Sequence, residues 1–140
     1  MAKYIVCGGR DFFDAVRLYE QLDFFHNSML IDEPISLIIE GGQSGADTLA
    51  RYWAKHNKVA FQTYKADWET YRKQAGPIRN ELMLKEHPDL TGVIAFPTGG
   101  PGTAHMMRIA KAAGKQVYDC SREAEEREAA RLQELYDGNN

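Results

Sequence analysis

The fold is decided by one stretch of the chain, Val93-Ile94-Ala95-Phe96-Pro97-Thr98-Gly99-Gly100-Pro101-Gly102-Thr103. Its apolar half is typical of a buried strand, its glycine-rich half is typical of a tight turn, and a helical pattern follows at once. A helix that begins at such a turn leaves backbone N–H groups unpaired and carries partial positive charge at its N-terminus. The stretch therefore predicts a strand, a loop and a helix terminus that suits an anion, typically a phosphate.

Two other loops repeat this arrangement. Gly8-Gly9-Arg10-Asp11 follows an apolar run over residues 3–7, and Gly41-Gly42-Gln43-Ser44-Gly45-Ala46-Asp47 follows a run over residues 35–39. Apolar runs at residues 59–64, 92–96 and 116–120 also alternate with helical patterns. This alternation predicts an α/β fold, a three-layer doubly wound (Rossmann-like) parallel sheet with helices on both faces. With five strands we expect the order 3-2-1-4-5, in which the three loops meet at the carboxyl ends of the strands, where ligands bind.

The spacing of apolar residues and the positions of proline and glycine predict where the helices lie. Because proline is favoured at the first helical position, Pro77 predicts a helix from there to about residue 87, after a loop and irregular helix over residues 65–76. Gly114 ends the helix that follows the fourth strand. We expect residues 1–120 to form the Rossmann-like domain and residues 121–140 to form a charged C-terminal helix with a disordered end. The expected buried faces are Ala15, Leu18, Leu22, Phe25 and Met29 in the first helix and Met106, Ile109, Ala110 and Ala113 in the helix before Gly114.

Composition excludes several classes of protein. The 140 residues, 44% hydrophobic and 26% charged, have the balance of one globular domain. A net charge of −3 disfavours general attraction to nucleic acid or to anionic membranes. Cys7 and Cys120 end apolar runs and are interpreted as reduced core residues, and no signal peptide or membrane-length run is found, so we expect a cytoplasmic protein. The four histidines form no ligand cluster, so no metal site is expected.

Arg10 and Arg79 are predicted at positions where a positive charge is unusual. Arg79 would lie in the first turn of the helix opened by Pro77, where a positive charge opposes the helix dipole at a cost of up to about 1 kcal/mol. Arg10 follows two glycines at the ligand edge of the predicted sheet. Both positions make sense if a bound anion supplies the missing negative charge. The structural alternatives are a salt bridge to Asp11 or Asp67 and a solvent-exposed arm.

The candidate ligand-binding residues are those of the three loops, together with Arg79 and its neighbour Asn80. A glycine-rich loop can also be no more than a tight turn, and the convergence of three such loops favours a ligand. Ser44 and Asp47 equally fit a capping box, with Ser44 as the N-cap, while a contact to a ribose hydroxyl is the functional alternative for Asp47. The full set is Gly8, Gly9, Arg10, Gly41, Gly42, Ser44, Gly45, Asp47, Arg79, Asn80, Thr98, Gly99, Gly100, Gly102 and Thr103.

Other residues are candidates for base stacking and for catalysis. Trp68 and Tyr71 are aromatic candidates for stacking on a base, and covering a sheet edge is the alternative. His105 follows the glycine-rich loop and is a candidate general acid or base, with a surface histidine as the alternative. Asp47 and Asp67 complete the catalytic candidates.

Five ordered motifs resemble those of a known family. The chain resembles the YspA-type (YspA/cpYpsA-related) family of the SLOG superfamily, which is named for the Smf/DprA and LOG proteins. The resemblance covers about residues 3–120 and leaves out the tail after Ser121. Its motifs are Gly8-Gly9-Arg10-Asp11, the loop over residues 41–47, Ala66-Asp67-Trp68, Ala75-Gly76-Pro77-Ile78-Arg79-Asn80 and the stretch over residues 96–103.

The resemblance implies a Rossmann-like nucleotide-binding domain, an NAD-derived or ADP-ribose-like ligand and a homo-oligomer, a dimer. LOG enzymes of this superfamily cleave a nucleoside monophosphate at its N-glycosidic bond and carry a glycine-rich motif that ends in a catalytic glutamate. Met106 stands where that glutamate would be. Methionine can neither act as a general base nor stabilise an oxocarbenium ion, which argues against LOG-type hydrolysis.

Three functions follow from this sequence. The leading hypothesis is a protein that binds a phosphorylated nucleotide derivative as a sensor, carrier or sequestering protein. The alternative is an enzyme that acts on a nucleotide, resembling an N-glycosidase or phosphoribohydrolase, and uses Asp47, Asp67 or His105 in place of the missing glutamate. A third hypothesis, single-stranded DNA binding, comes from the resemblance to DprA and is weakened by the net charge of −3. The sequence leaves the base, the number of phosphates and the pathway open.

Overall fold

The computed structural model describes residues 2–28 and 33–138 of the chain. Strands and helices alternate along most of this length, and a single 3₁₀ turn spans Arg72–Gln74. The elements are β1 (Ala2–Gly8), α1 (Ala15–Asn27), β2 (Ile35–Glu40), α2 (Ala46–His56), β3 (Ala60–Thr63), α3 (Trp68–Tyr71), α4 (Ala75–Glu86), β4 (Gly92–Phe96), α5 (Pro101–Ala112), β5 (Gln116–Asp119) and α6 (Arg122–Gly138).

The sheet confirms the predicted fold class. All four strand pairs are parallel, and the order is β3-β2-β1-β4-β5. In the pairing of β1 with β4, Gly8 lies opposite Phe96. The loops that follow these two strands therefore leave the sheet side by side, at the point where the strand order reverses.

Two apolar clusters cover the two faces of the sheet. The larger packs α1 and α2 against one face, and the smaller packs α4 and α5 against the other. Ile5 and Val93 on one face and Val6 and Ile94 on the other have no exposed surface. Such continuous burial explains why the central strands read as unbroken apolar runs and not as alternating ones.

The fourth helix begins earlier than the sequence predicts. α4 starts at Ala75, directly after the 3₁₀ turn, and Pro77 is its third residue. Proline is tolerated there because the N–H groups of the first turn have no partner within the helix. The placement of Arg79 in the first turn was therefore wrong, since it is the fifth residue of α4 and lies in the second turn.

Several helix faces differ from their predicted ones. In α1, Leu18, Leu22 and Phe25 are buried as predicted, Ala15 is exposed, and Met29 lies outside the described residues. Ala113, predicted on the buried face of α5, is exposed because it lies just after the last residue of that helix. Gly114 follows with a φ of +77°, and its N–H donates to the carbonyl of Lys111, a glycine-terminated helix end of the predicted kind.

The C-terminal helix α6 has no buried residue. Its attachment is at its first turns, where Arg122 pairs with Asp14 and Glu125 pairs with Arg17, both in or next to α1. Gly138 is its last residue, and of the predicted disordered end Asn139 and Asn140 lie outside the described residues.

Candidate functional site

The three glycine-rich loops meet at the carboxyl edge of the sheet. The Gly9 N–H donates to the Phe96 carbonyl at 3.2 Å, and the Gly9 carbonyl accepts from the Ala46 N–H at 3.3 Å. The Thr98 hydroxyl donates to the Asp11 carboxylate at 2.6 Å. These bonds join all three loops around a cavity of about 850 Å³. The cavity has the size of ordinary small-molecule and cofactor sites.

Most of the candidate residues line this cavity. Asp67 and Tyr71 lie outside the lining. Asp67 caps α3 by accepting from the Thr70 N–H at 3.1 Å, and Tyr71 is exposed. The lining candidates are Gly8, Gly9, Arg10, Gly41, Asp47, Trp68, Arg79, Asn80, Thr98, Gly100, Gly102, Thr103 and His105. The candidates outside the lining are Gly42, Ser44, Gly45, Asp67, Tyr71 and Gly99.

The N-terminus of α5 opens into the cavity. Its N-cap is Gly100, which has no side chain to accept from the backbone, and its first turn contains no acidic residue. A methyl group added at Gly100 or Gly102 would meet no atom within 4 Å. The free N–H groups and partial positive charge of this terminus therefore face open space beside the cavity.

The N-terminus of α2 is closed by the protein itself. Its N-cap is Gly45, with a φ of +77°, so the prediction of Ser44 as the cap was wrong. A methyl group at Gly45 would lie 2.2 Å from the Gly9 carbonyl oxygen, so the packing of the two loops requires glycine at this point. The Ser44 hydroxyl instead donates to the Arg10 carbonyl at 3.1 Å. The capping-box pattern was misleading because contact with another loop fixes where the helix begins.

The carboxylate of Asp47, in the first turn of α2, binds the backbone of the loop that precedes the helix. It is buried, and it accepts from the N–H groups of Gln43, at 3.2 Å, and of Gly41. Burial raises the pKa of Asp47 to about 7, while these two bonds and the charge of Arg79 act in the opposite direction. Asp47 is thus a cavity-lining carboxyl group that gains or loses its proton near neutral pH.

Arg79 is held in the wall by neutral partners. Its Nη1 donates to the Gly41 carbonyl at 2.7 Å, and its Nε donates to the Asn80 Oδ1 at 3.0 Å. Burial lowers the pKa of the guanidinium, and the carboxylate of Asp47 raises it. A guanidinium has five N–H donors, so these two bonds leave donors for an anion in the cavity. The structural alternative for Arg79, a salt bridge to Asp11 or Asp67, is therefore not what positions this side chain.

Three more cations border the same space. Arg10 donates from Nε to the Gln43 side-chain carbonyl, and its guanidinium lies 5.4 Å from the centre of the Trp68 ring. Lys73 and Arg108 also line the cavity, and both were missed in the sequence. Arg108 could have been predicted from the sequence, since it lies seven residues after Pro101 and so on the same face of α5. Lys73 lies in the 3₁₀ turn, and no sequence pattern predicts its place at the cavity.

Glu40 is a buried acid that the sequence reasoning also missed. It ends β2 with no exposed surface, accepts from the Gly42 N–H at 2.8 Å and from the Thr63 hydroxyl, and has Arg51 4.0 Å away. Its signal was a lone glutamate between an apolar run and two glycines. These contacts hold the turn at Gly41 and Gly42, and Glu40 does not itself line the cavity.

Further polar contacts in the cavity wall join α4 to α5. Asn80 is buried, and its Nδ2 lies 3.3 Å from the Gly102 carbonyl and 3.1 Å from the Nδ1 of His105. Burial, followed by the charge of Arg108, lowers the pKa of His105, while Glu81 raises it. Met106, at the position of the LOG glutamate, is buried and lines the cavity.

Within residues 2–28 and 33–138, no group of three or more His, Cys, Asp or Glu side chains is placed to share a metal ion. In that part of the chain, no helix combines the length and the apolar character that crossing a membrane requires.

Comparisons with known proteins support the fold and the family. A solved structure of DNA processing protein A (DprA) from Streptococcus pneumoniae superposes with a TM-score of 0.64 at 17% identity, over 84% of this chain and 49% of that one. The chain thus spans about half the length of DprA, and at this identity the likeness shows the fold. The Gene 61 protein of Mycobacterium phage D29 is 34% identical over 125 residues, which are 84% of this chain and 94% of that protein.

A family model described as "YspA, cpYpsA-related SLOG family" matches residues 3–71. This segment is shorter than the span of about residues 3–120 on which the sequence motifs rest, and it includes the first two glycine-rich loops. The phage relative extends the similarity over most of the chain. The chain therefore belongs to the YspA, cpYpsA-related SLOG family.

Proposed function

We propose that this protein binds a phosphorylated nucleotide derivative in the cavity, with a phosphate at the N-terminus of α5. The observation that carries the proposal is the uncapped start of this helix, where Gly100 and Gly102 face open space. A helix terminus of this kind offers several N–H donors and a favourable potential to a phosphate. Glycine lets a ligand approach the backbone more closely than any other residue would.

The charges of the cavity support an anionic ligand. Arg10, Lys73, Arg79 and Arg108 line it, against the carboxyl groups of Asp11 and Asp47. Asp11 is engaged by the Thr98 hydroxyl, and the burial of Asp47 favours its neutral form. The chain as a whole carries a net charge of −3, so this cluster stands against the general charge of the protein.

The remainder of the ligand is proposed to be a nucleoside. Trp68 is 44% exposed and lines the cavity, which makes its ring available for stacking on a base. Asp47 is suited to a ribose hydroxyl, since a carboxyl group accepts from such groups in either protonation state. NAD, ADP-ribose and AMP are the proposed ligand types, and the proposed role is that of a sensor, carrier or sequestering protein. Cys7 and Cys120 are free thiols, which fits the cytoplasmic setting that we propose.

Thermal unfolding with a nucleotide panel tests the proposal. A ligand at about 100 times its dissociation constant adds about 2.7 kcal/mol of stability, which raises Tm by roughly 5–10 °C for a domain of this size. We expect such a shift with at least one of NAD, ADP-ribose and AMP, and native mass spectrometry of the freshly purified protein should show the same class of molecule bound. No shift with any phosphorylated nucleotide, over a broad panel, would overturn the proposal.

Charge-removal variants localise the site. Arg108→Gln removes a cation that lines the cavity, and Lys85→Gln removes one from the last turn of α4, outside the lining. We expect Arg108→Gln to weaken nucleotide binding about tenfold, because it removes a charge-assisted contact. Lys85→Gln is the matched control and should bind as the wild type does. Equal affinities for the two variants would argue against this cavity as the phosphate site.

A second candidate function rests on Asp47. Its buried carboxyl group, with a pKa raised to about 7, is suited to proton transfer at neutral pH. We propose as the alternative that the protein hydrolyses the N-glycosidic bond of a nucleotide: water adds to the anomeric carbon, and the base leaves with a proton. Free base released by the wild type, and abolished by Asp47→Asn, would favour the enzyme over the binding protein. Nucleotide binding without any free base would reject it.

Single-stranded DNA is tested in the same series. The solved structure with the same fold is named DNA processing protein A, and the cluster of cations gives such a polymer a local point of contact. Fluorescence polarisation with a labelled oligonucleotide at two salt concentrations measures this binding. We expect the oligonucleotide to bind more weakly than the mononucleotides, because the net charge of −3 repels a long polyanion.

A further inference from the structure

A chain of hydrogen bonds fixes the orientation of the Asn80 side chain. The guanidinium of Arg79 can only donate, and its Nε lies 3.0 Å from the Asn80 Oδ1. That atom must therefore be the amide oxygen. On the other side, the Asn80 Nδ2 lies 3.3 Å from the Gly102 carbonyl, which can only accept. Two independent partners thus assign the amide in the same way.

This orientation assigns the proton of His105. The second hydrogen of the Asn80 amide points to the Nδ1 of His105, 3.1 Å away. A nitrogen that accepts this bond carries a lone pair and no hydrogen, so the neutral ring has its proton on Nε2. Protonation of Nδ1 would set two donors against each other. The amide cannot turn over to relieve this conflict, since its oxygen is held by Arg79.

Charged groups of both signs surround the ring of His105. Arg108 lies one turn further along α5, and Arg79 stands behind the amide on α4, while Glu81 on α4 is the acidic group that opposes them. Lys73 lines the same cavity from the 3₁₀ turn, and Asp47 lines it from α2. Burial and the charge of Arg108 lower the pKa of His105, which favours the neutral form of the ring.

We propose that Arg79 and Asn80 hold His105 as a neutral Nε2–H donor, and that His105 selects ligands with an acceptor oxygen next to the first turn of α5. His105 is the fifth residue of α5 and shares Asn80 with the Gly102 carbonyl of that turn. The oxygen would belong to the phosphate or ribose of the ligand, so this part of the inference rests on the proposed function. In this state His105 has no free lone pair, which removes it as a general base and leaves Asp47 as the cavity-lining candidate.

The tautomer is measured without any ligand. Long-range ¹H–¹⁵N correlation spectra of the unliganded wild type, at pH values from 5 to 8, report which nitrogen of each histidine carries the proton. His105→Gln identifies the signals of this residue by their loss. We expect the Nε2–H form with a pKa below the usual value of about 6.5. The Nδ1–H form, or a ring that is charged at pH 7, would overturn the inference.

The positioning role of Asn80 is tested by Asn80→Asp. A carboxylate accepts and cannot donate, so it should draw a proton onto Nδ1 and raise the pKa of His105 by at least about one unit. Gln62→Glu adds the same charge on the exposed strand β3 and should leave the His105 signals unchanged. An unchanged pKa in folded Asn80→Asp would show that Asn80 does not set the tautomer. If this variant does not fold, the wild-type spectra decide.

The second part of the inference, the selection of ligands by His105, is tested with ADP-ribose and with inorganic phosphate. His105→Gln keeps an N–H donor close to the position of Nε2, and His105→Ala removes it. We expect the Gln variant to bind ADP-ribose within about threefold of the wild type and the Ala variant roughly tenfold more weakly. Equal binding by the Ala variant and the wild type would overturn this half. Weaker phosphate binding by the Ala variant assigns the oxygen to the phosphate, and unchanged phosphate binding assigns it to the ribose.

The two parts of the inference fail separately. Wild-type protein that binds no member of the nucleotide panel would overturn the proposed function, and the selection by His105 with it. The histidine spectra would still decide the tautomer, since they depend only on the bonds among Arg79, Asn80 and His105.

Discussion

Two helices, α2 and α5, start from glycine-rich loops at the same edge of the sheet. The α2 N-terminus is closed by neighbouring protein atoms, whereas the α5 N-terminus faces open space. At α2 the glycine Gly45 is packed against the neighbouring loop, and the carboxylate of Asp47 accepts from the loop backbone. At α5 a methyl group added at Gly100 or Gly102 would meet no atom within 4 Å, and no acidic side chain lies in the first turn.

The difference shows that a glycine-rich loop before a helix has two separate uses. One use is to let two loops pack closely, as at Gly45, where a methyl group would lie 2.2 Å from the Gly9 carbonyl oxygen. The other use is to leave backbone N–H groups accessible to a ligand. Only the surroundings of each glycine tell the two uses apart, and they are the reason that we propose the anion site at α5 and not at α2.

The largest effect is expected at the closed terminus. Gly45→Ala places a methyl group 2.2 Å from the Gly9 carbonyl oxygen at a φ of +77°, so backbone and loop must both shift. We expect a loss of at least about 4 kcal/mol in the free energy of unfolding, measured by urea denaturation.

Gly102→Ala is the matched change at the open terminus. Its methyl group meets no atom within 4 Å, and alanine favours a helix over glycine, so stability should stay equal or rise by up to about 1 kcal/mol. Nucleotide affinity should fall, because the methyl group stands where the ligand approaches. Similar stability losses at both glycines would remove the distinction between the two termini.

A second prediction concerns the charge of Asp47. Its folded pKa of about 7 lies above the unfolded value of 3.8, so the folded state holds the proton more tightly. Its contribution to stability is therefore full below about pH 4 and is lost as the pH rises to about 7. As the pH rises from 5 to 8, the loss of this proton should lower the free energy of unfolding by roughly 2 kcal/mol.

Asp47→Asn removes this titration and isolates it from the other groups. Urea unfolding at pH 5 and at pH 8 should show a smaller fall in stability for the variant than for the wild type. An equal fall in both proteins would mean that Asp47 titrates in its ordinary acidic range.

A third change would make α5 resemble α2. Gly100 has φ −77° and ψ 155°, a conformation that suits an N-cap side chain, and there is space for one. Gly100→Asp should stabilise the protein by about 1 kcal/mol, because its carboxylate accepts from the open N–H groups. The same carboxylate should compete with the phosphate and abolish nucleotide binding. Gly100→Ala lacks the acceptor and should not gain this stability, which thermal unfolding and calorimetry of both variants will check.

The smallest effect is expected at Ser44. Because Gly45 is the N-cap, Ser44→Ala removes one hydrogen bond to the Arg10 carbonyl and no helix cap. The expected loss is about 0.5–1 kcal/mol in urea unfolding. A loss near 2 kcal/mol would be that of a true cap and would restore the capping-box interpretation.

The fold could be predicted because its signals are local. Apolar runs, glycine turns and helical spacing lie within short segments, and handedness rules then leave few topologies. The site was predictable as a place, since the carboxyl ends of parallel strands meet at one edge. Its details depend on contacts between distant segments. Gly45 is the cap because of Gly9, Arg79 is positioned by Gly41, and Lys73 enters the cavity from a 3₁₀ turn that has no periodic pattern.

The attachment of α6 has a consequence for amide hydrogen exchange. The helix is tied to α1 by ion pairs at its first turns, and Leu132, Leu135 and Tyr136 near its end are more than half exposed. Exposed ion pairs add little free energy, and a helix of 17 residues is marginal without packing. Its C-terminal amides should therefore exchange by local fraying, orders of magnitude faster than those of β1 and β4, whose exchange requires opening of the whole sheet. Deuterium uptake along the chain would thus divide one continuous polypeptide into two kinetic units, with the boundary close to Glu125.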